Sequence, residues 1–280
     1  IFVLTQFNSA SLTKHIKNTY QFRAFSSGFV ALLAAEQTPE STAWYQGPAD
    51  AVRQCLRHLT NFEFDHVLIL SGDQLYQMDF GNMFRTHEKE GADITIATIP
   101  VTEREATEFG ILKSDDQNKI VSFIEKPGLD KLPDWISETS PEMQESGRNY
   151  LASMGIYLFK KKVLFDLLGG QNKDAKDFGK EILPNAISEM NVLSYQYSGY
   201  WTDIGNISSF FDANLGLTQE LPPFNLFDNE NKVYSRPRML PPAKISRTPL
   251  INTIAGDGGS IHAERIEDCV VGIRTRIGYG

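Results

Sequence analysis

The chain is poor in cysteine, and it contains no apolar run long enough to cross a bilayer. Cys55 and Cys269 are its two cysteines, too few for a disulfide framework or a cysteine zinc site, so a reducing compartment fits. Nothing at the N-terminus has the pattern of a signal peptide, and no membrane partner is expected. Positive charge is also scarce: 27 Lys and Arg stand against 35 Asp and Glu, a formal net charge of −8. That balance argues against a nucleic-acid partner but leaves room for phosphorylated small molecules, which a few local cations can hold. His58, His66 and His87 lack the spacing of a metal site or a triad and read as structural. No Ser/His/Asp or Cys/His arrangement offers a covalent nucleophile.

What is present is the composition of an ordinary globular chain, 41% hydrophobic and 22% charged over 280 residues. That length suits one large α/β domain and a smaller piece. Residues 66–79 organise the rest. Val67, Leu68, Ile69 and Leu70 run without a break into Ser71-Gly72-Asp73. The run reads as a strand buried on both faces of a parallel sheet. Open α/β sheets bind ligands beyond the carboxyl ends of their strands, which places Asp73 at a cleft, with Gly72 leaving room for close approach. Asp73 is then either a ligand for a hard divalent cation or a cap on the next turn.

Strands are expected over residues 1–4, 29–35, 93–101, 109–113, 119–127, 151–159 and 192–197. Helices alternate with them: one from a Ser11 cap to residue 20, then 48–59, 82–90, 161–168, 177–190 and 207–217. Pro48 suits a first helical turn; Ala49, Val52, Leu56 and Leu59 form its apolar stripe, with Arg53 and Arg57 pointing away. This alternation is a Rossmann-like α/β pattern with a mixed or parallel sheet. Residues 36–43, 128–149 and 200–205 read as loops. Pro222, Pro223, Pro237, Pro241 and Pro242 mark residues 221–247 as a linker or extended arm. In residues 248–280 an aliphatic residue recurs about every six positions with glycine nearby, like the hexapeptide repeat of a left-handed parallel β-helix. The organisation expected is therefore a Rossmann-like α/β domain over 1–220, a linker over 221–247 and the start of a β-helix over 248–280.

The chemistry-bearing residues each admit two readings. Asp73 and Asp203 follow apolar or aromatic runs and could share one Mg²⁺, or each could simply form a turn. Glu125-Lys126-Pro127 ends a strand: the lysine can neutralise a phosphate and the glutamate can accept sugar hydroxyls, or the two are a solvated surface pair. Pro127 is expected to hold Lys126 in extended geometry. Ser153 and Gly110 supply a hydroxyl and an unobstructed amide, or Ser153 is a small residue tolerated by packing. Trp44 and Tyr45 fit a core or rim as well as a ligand stack.

Together these stretches carry a resemblance. Trp44-Tyr45-Gln46-Gly47-Pro48-Ala49-Asp50-Ala51-Val52, Ser71-Gly72-Asp73-Gln74-Leu75-Tyr76, Phe109-Gly110, Phe123-Ile124-Glu125-Lys126-Pro127, Ala152-Ser153-Met154-Gly155-Ile156-Tyr157, Asp177-Phe178-Gly179 and Tyr200-Trp201-Thr202-Asp203-Ile204-Gly205 stand in the order found in ADP-glucose pyrophosphorylase. The sequence resembles that family over nearly its whole length. The resemblance implies adenylyl transfer from ATP to glucose 1-phosphate, with Asp73 and Asp203 holding Mg²⁺ and, with Lys126, carrying catalysis. It implies that Tyr45, Gly110, Glu125, Lys126 and Ser153 contact glucose 1-phosphate and that Gln46 and Gly47 lie near the nucleotide. It also implies an allosteric homotetramer serving glycogen or starch synthesis in bacterial cytoplasm or a plant plastid. Pro48 departs from the family, which commonly has threonine there.

Three other activities compete: nucleotidyl transfer from UTP, dTTP or GTP, a non-catalytic regulatory subunit of the same family, and a hexapeptide-repeat acyltransferase. Asp73, Lys126 and Asp203 favour a catalytic chain over a regulatory one, and His262 is the sole candidate base for the acyltransferase. The family's glycine-rich, arginine-containing phosphate loop would precede Ile1, and most of its β-helix would follow Gly280. The chain reads as cut at both ends, and without that loop the 280 residues are expected to be inactive or nearly so. Assay of the purified chain should show no ADP-glucose formed at an ordinary enzymatic rate; brisk turnover would refute this.

Overall fold

The computed structural model describes residues 1–22, 25–36, 43–170 and 172–279. Residues 37–42 of the loop expected before Trp44 lie outside them. The chain opens with β1 (Phe2–Thr5), α1 (Ala10–Thr19), β2 (Ala31–Ala34), α2 (Pro48–Leu59), β3 (His66–Leu70) and β4 (Gln74–Tyr76). It continues through α3 (Phe80–Lys89), β5 (Ile94–Val101), α4 (Glu103–Ala106), β6 (Gly110–Ser114) and β7 (Ile120–Glu125). Next come α5 (Pro141–Glu145), β8 (Tyr150–Lys160), α6 (Lys161–Gly169), α7 (Leu183–Glu189) and β9 (Val192–Gln196). The last part holds β10 (Trp201–Asp203), α8 (Ile207–Gly216), β11 (Lys244–Ile245), β12 (Leu250–Ala255), β13 (Ser260–Ile261), β14 (Ile266–Val271) and β15 (Arg276–Ile277). No helix among the described residues is long and apolar enough to cross a membrane.

Two compact units result. The first comprises residues 1–10, 22–72 and 78–198. Its main sheet has the order β7-β6-β8-β5-β9, with β3 also on β8. Strand β8 is the spine: β6 meets it at Leu151 and Ala152, β3 meets it along Ile156–Lys160, and β5 runs down the other edge. Only the β5–β9 pairing in this sheet is parallel, and β1 and β2 form a separate parallel pair. The sheet is thus mixed. All eight residues of β5 are buried, as its Ile/Thr-rich, β-branched composition suits. Ala49 and Val52 of α2, Leu164 and Leu168 of α6, and Ile182 and Leu183 pack with Ile94 and Ile96 into one core.

Four local expectations are corrected here. Strand β3 is not buried on both faces of a parallel sheet: it runs antiparallel to β8, with Leu68 37% and Leu70 44% exposed. Val67 and Ile69 alone reach the core, so the unbroken apolar run conceals an ordinary one-sided strand. Arg53 does not point away from the protein; its guanidinium donates to the carbonyls of Leu168, Asn172 and Ala175 and pairs with Asp50 at 3.0 Å. Its long stem lets the charged end reach across α2 and tie down the segment after α6. The helix expected from Asp177 opens instead as a π-helical turn, Phe178–Ile182, in which the Leu183 N–H bonds the Phe178 carbonyl. Pro184 follows in the first turn of α7; its ring has no N–H and crowds the carbonyl four residues back, so an ordinary α-turn cannot form there. Residues 201–203, read as loop, form β10, because β4 offers them a partner distant in sequence.

The second unit comprises residues 11–21, 73–77 and 199–280. Helix α1 starts at Ala10, so Ser11 lies inside it and does not cap it. Strands β4 and β10 pair antiparallel, and Asn206 caps α8 by accepting the Ser209 N–H at 2.9 Å. The C-terminal coil stacks β11, β13 and β15 in parallel, with Lys244 opposite Ser260 opposite Arg276, and β12 on β14 beside them. Its first strand, β11, falls within the segment read as linker. Ile261, Ala263, Ile266 and Val271 fill the coil interior, and Ile277 packs on them. Asn252 and Asp268 occupy equivalent corners, both with left-handed backbone (φ 44° and 48°), and Asn252 Nδ2 donates to Asp268 Oδ1 at 3.0 Å.

His87 on α3 is fully buried in the first unit. Its Nδ1 lies 2.8 Å from Thr95 Oγ1, while Nε2 has no partner among the described residues. Burial, reinforced by the nearby His66 and Lys160, lowers its pKa to about 4. The unfolded chain therefore takes up this proton at a higher pH than the folded one. The stability involved, on the order of 3 kcal/mol, is present above the unfolded pKa and lost as pH falls from about 6.5 toward 4. Thermal unfolding followed at about pH 7 and about pH 5 should show a smaller acid-induced drop in Tm for His87→Gln than for the parent. Equal drops would clear His87 of this role.

Candidate functional site

Two groups of residues carry chemistry, one in each unit. In the second unit the β4–β10 ladder sets Asp203 opposite Gln74, and the Ile204 N–H extends it by bonding the Asp73 carbonyl at 2.9 Å. Trp201 Nε1 donates to Gln74 Oε1 at 3.1 Å and fixes the outer face of the pair. Asp73 and Asp203 are thus brought to one end of the same short ribbon. Their carboxylates converge on Gly205. A Cβ at that glycine would lie 3.2 Å from Asp203 Oδ1 and 3.5 Å from Asp73 Oδ2. The Gly205 N–H donates to Asp203 Oδ1 at 3.0 Å and holds that side chain in place. The glycine leaves open a space that two hard oxygen donors border, which fits Mg²⁺, a cation that takes one or two protein carboxylates and fills its remaining positions with phosphate and water. No group of three or more His, Cys, Asp or Glu suited to a metal occurs among the described residues.

The other group lies in the first unit at the ends of β6, β7 and β8. Gly110 and Glu125 are direct partners across β6 and β7, and the Lys126 N–H closes the ladder on the Phe109 carbonyl at 3.0 Å. Ile111 is opposite Ala152, so Gly110 and Ser153 occupy adjoining positions on neighbouring strands. A Cβ at Gly110 would lie 2.6 Å from the Phe123 ring and 2.9 Å from Glu125 Oε2, so a larger residue would displace both side chains. Ser153 sits on a bulge of β8, where the register with β5 jumps between Ile96 and Thr98. Gly155 takes φ 66° within it, and its N–H donates to Ser153 Oγ at 3.3 Å. Burial pushes the neighbouring Tyr157 hydroxyl up to about 12; its hydrogen bond with Ser153 opposes this, and Asp177 and Glu125 reinforce it.

Lys126 overturns one expectation. Its backbone is left-handed (φ 45°) where the following proline was expected to impose an extended form. The final ladder bond to Phe109 and the turn into buried Pro127 hold it there. Such conformations cost on the order of 1–3 kcal/mol and persist where the surroundings over-determine them. The side chain is exposed and makes no ion pair among the described residues.

Tyr45, Gln46 and Gly47 lie apart from these strand ends in sequence, in the loop that enters α2. Gly47 presses on the Lys176 carbonyl, which also accepts the Ala49 N–H at 3.0 Å, so no larger residue fits. The loop is thereby joined to the Asp177 turn. Gln46 is exposed; its N–H bonds Asp50 Oδ2 and its Nε2 donates to the Trp44 carbonyl. Tyr45 turns its hydroxyl to Cys55 Sγ at 3.4 Å, and burial raises its pKa above the ordinary phenol value.

Two residues of this group were not legible beforehand. Phe123 wedges its ring between Gly110 and Gly179, 3.1 Å from where a Cβ on the latter would stand. Lys180, capped at its N–H by Asp177 Oδ1 at 2.9 Å, brings Nζ to 4.0 Å from Glu125 Oε1. The signal for Lys180 was its place directly after Asp177-Phe178-Gly179.

Known families account for both parts. The Nucleotidyl transferase family model matches residues 1–220, and that of the GLGC left-handed parallel beta-helix domain matches residues 238–280. The combination is characteristic of ADP-glucose pyrophosphorylase. With a match over most of its length, this chain belongs to the nucleotidyl transferase family, among the sugar-1-phosphate nucleotidyltransferases of the GLGC type.

Proposed function

We propose that this chain supplies the sugar-phosphate and metal sites of an enzyme that transfers the adenylyl group of ATP to glucose 1-phosphate, giving ADP-glucose and pyrophosphate for glycogen or starch synthesis, with the family's glycine-rich loop wrapping the triphosphate. A phosphate oxygen of the sugar attacks the α-phosphorus of ATP. The bond from that phosphorus to the oxygen bridging to the β-phosphorus breaks, and pyrophosphate leaves with its electron pair. No proton need move and no covalent enzyme intermediate forms. The protein is therefore asked for placement and charge neutralisation.

Asp73 and Asp203 would hold Mg²⁺, which when bound draws charge from phosphate oxygens as a Lewis acid. The observation that carries this reading is their approach to the single open space at Gly205. Lys126, with no ion pair among the described residues, offers its ammonium to the sugar phosphate. Glu125 and the Ser153 hydroxyl accept or donate hydrogen bonds to the sugar, and Gly110 keeps the approach clear. Gln46 and Gly47 serve the nucleotide side, and Tyr45 lines the sugar pocket through its ring, its hydroxyl being taken by Cys55.

Measured on the enzyme with its glycine-rich phosphate loop in place, pyrophosphate release with glucose 1-phosphate and each of the four common nucleoside triphosphates should be fastest with ATP. A preference for UTP or dTTP would overturn the choice of nucleotide while leaving the family intact. Asp73→Asn should mainly lower kcat. Lys126→Ala should mainly raise KM for glucose 1-phosphate, by about 2–3 kcal/mol of lost binding for a desolvated charge-assisted contact. An unchanged KM in the lysine variant would remove that role.

A further inference from the structure

Glu125 is flanked on two sides. Its Oε2 rests over Gly110, where any side chain would displace it, and its Oε1 faces Lys180 Nζ at 4.0 Å. We propose that Lys180 is a positioning residue for sugar-phosphate binding, its ammonium fixing the Glu125 carboxylate in the orientation that receives the sugar hydroxyls. The inference rests on the sugar-phosphate reading given above.

Three observations support it. The Lys180 side chain is 60% exposed and that of Glu125 30%, so the pair adds little to fold stability and its location needs another reason. The backbone carrying Lys180 is closely set, with Asp177 capping its N–H, the π-turn closing from Leu183 to Phe178, and Gly179 lying against the Phe123 ring of β7. The two lysines near Glu125 are also differently engaged. Lys126 follows Glu125 in a left-handed turn with no ion-pair partner among the described residues, whereas Lys180 Nζ lies 4.0 Å from the carboxylate. One ammonium is left for phosphate and the other orders the hydroxyl acceptor. A carboxylate held before substrate arrives loses less rotational freedom on binding.

Isothermal titration calorimetry of glucose 1-phosphate binding tests this. Lys180→Ala should weaken binding about five-fold, and Lys180→Arg should restore it to within about two-fold, with Tm unchanged in both. In a Glu125→Gln background, Lys180→Ala should have no further effect, because a residue acting through Glu125 has nothing left to position. Undiminished binding by Lys180→Ala, when Glu125→Gln binds weakly, overturns this inference alone. An equal loss from Lys180→Ala in both backgrounds also overturns it, since the lysine would then meet the phosphate directly. No effect of Glu125→Gln, or no binding by the parent chain, overturns the sugar-phosphate reading beneath it.

Discussion

Two like charges do not gather without cause, and the ribbon formed by β4 and β10 forces Asp73 and Asp203 together from distant parts of the chain. Unit charges about 4 Å apart repel by roughly 1 kcal/mol in water and more in a less polar setting. The backbone ladder, the Trp201–Gln74 bond and the Gly205 N–H supply the opposing attraction. The Mg²⁺ proposed above would offset whatever repulsion the two carboxylates feel at this open glycine. Proteins place carboxylates this way where charge must be gathered and held in one place.

The ends of β6, β7 and β8 use a different device. Each functional group there depends on space left by a neighbouring glycine or on a departure from regular backbone. Gly110 gives room to Glu125, Gly155 turns β8 so that Ser153 can cap it, and Lys126 adopts a form that only a well-fixed ladder end sustains. Gly179 does the same for Phe123. These are local irregularities set on a rigid, fully buried strand, β5, and its long neighbour β8.

The regular elements were readable because their signals are local. Pro48 and the stripe of Ala49 and Val52 announce α2, and the run of Ile and Thr announces β5. The errors share a cause as well. Strand β10 exists because of β4, and the exposed faces of Leu68 and Leu70 depend on which layers cover β3. Lys126 obeys the ladder to Phe109 over the preference set by Pro127. Arg53 looks like a surface charge until the carbonyls after α6 fold back onto it. The π-turn at Phe178 could have been foreseen from Pro184, since a proline near a helix start constrains the turn ahead of it. Lys180 was hidden for a simpler reason: it lies in the π-turn while Glu125 ends β7, and spacing along the chain carries no trace of that approach.

The coil at the C-terminus repeats every sixteen residues, from Lys244 to Ser260 to Arg276 and from Asn252 to Asp268. Such a period makes the coil tolerant of change in one form and intolerant in another. Gaining or losing a whole lap would keep every aliphatic residue facing inward. A single extra residue within a lap would turn Ile261 or Ile277 toward solvent and move a corner off its left-handed seat. Within the strands, then, this part of the molecule keeps its interior when it lengthens by whole laps.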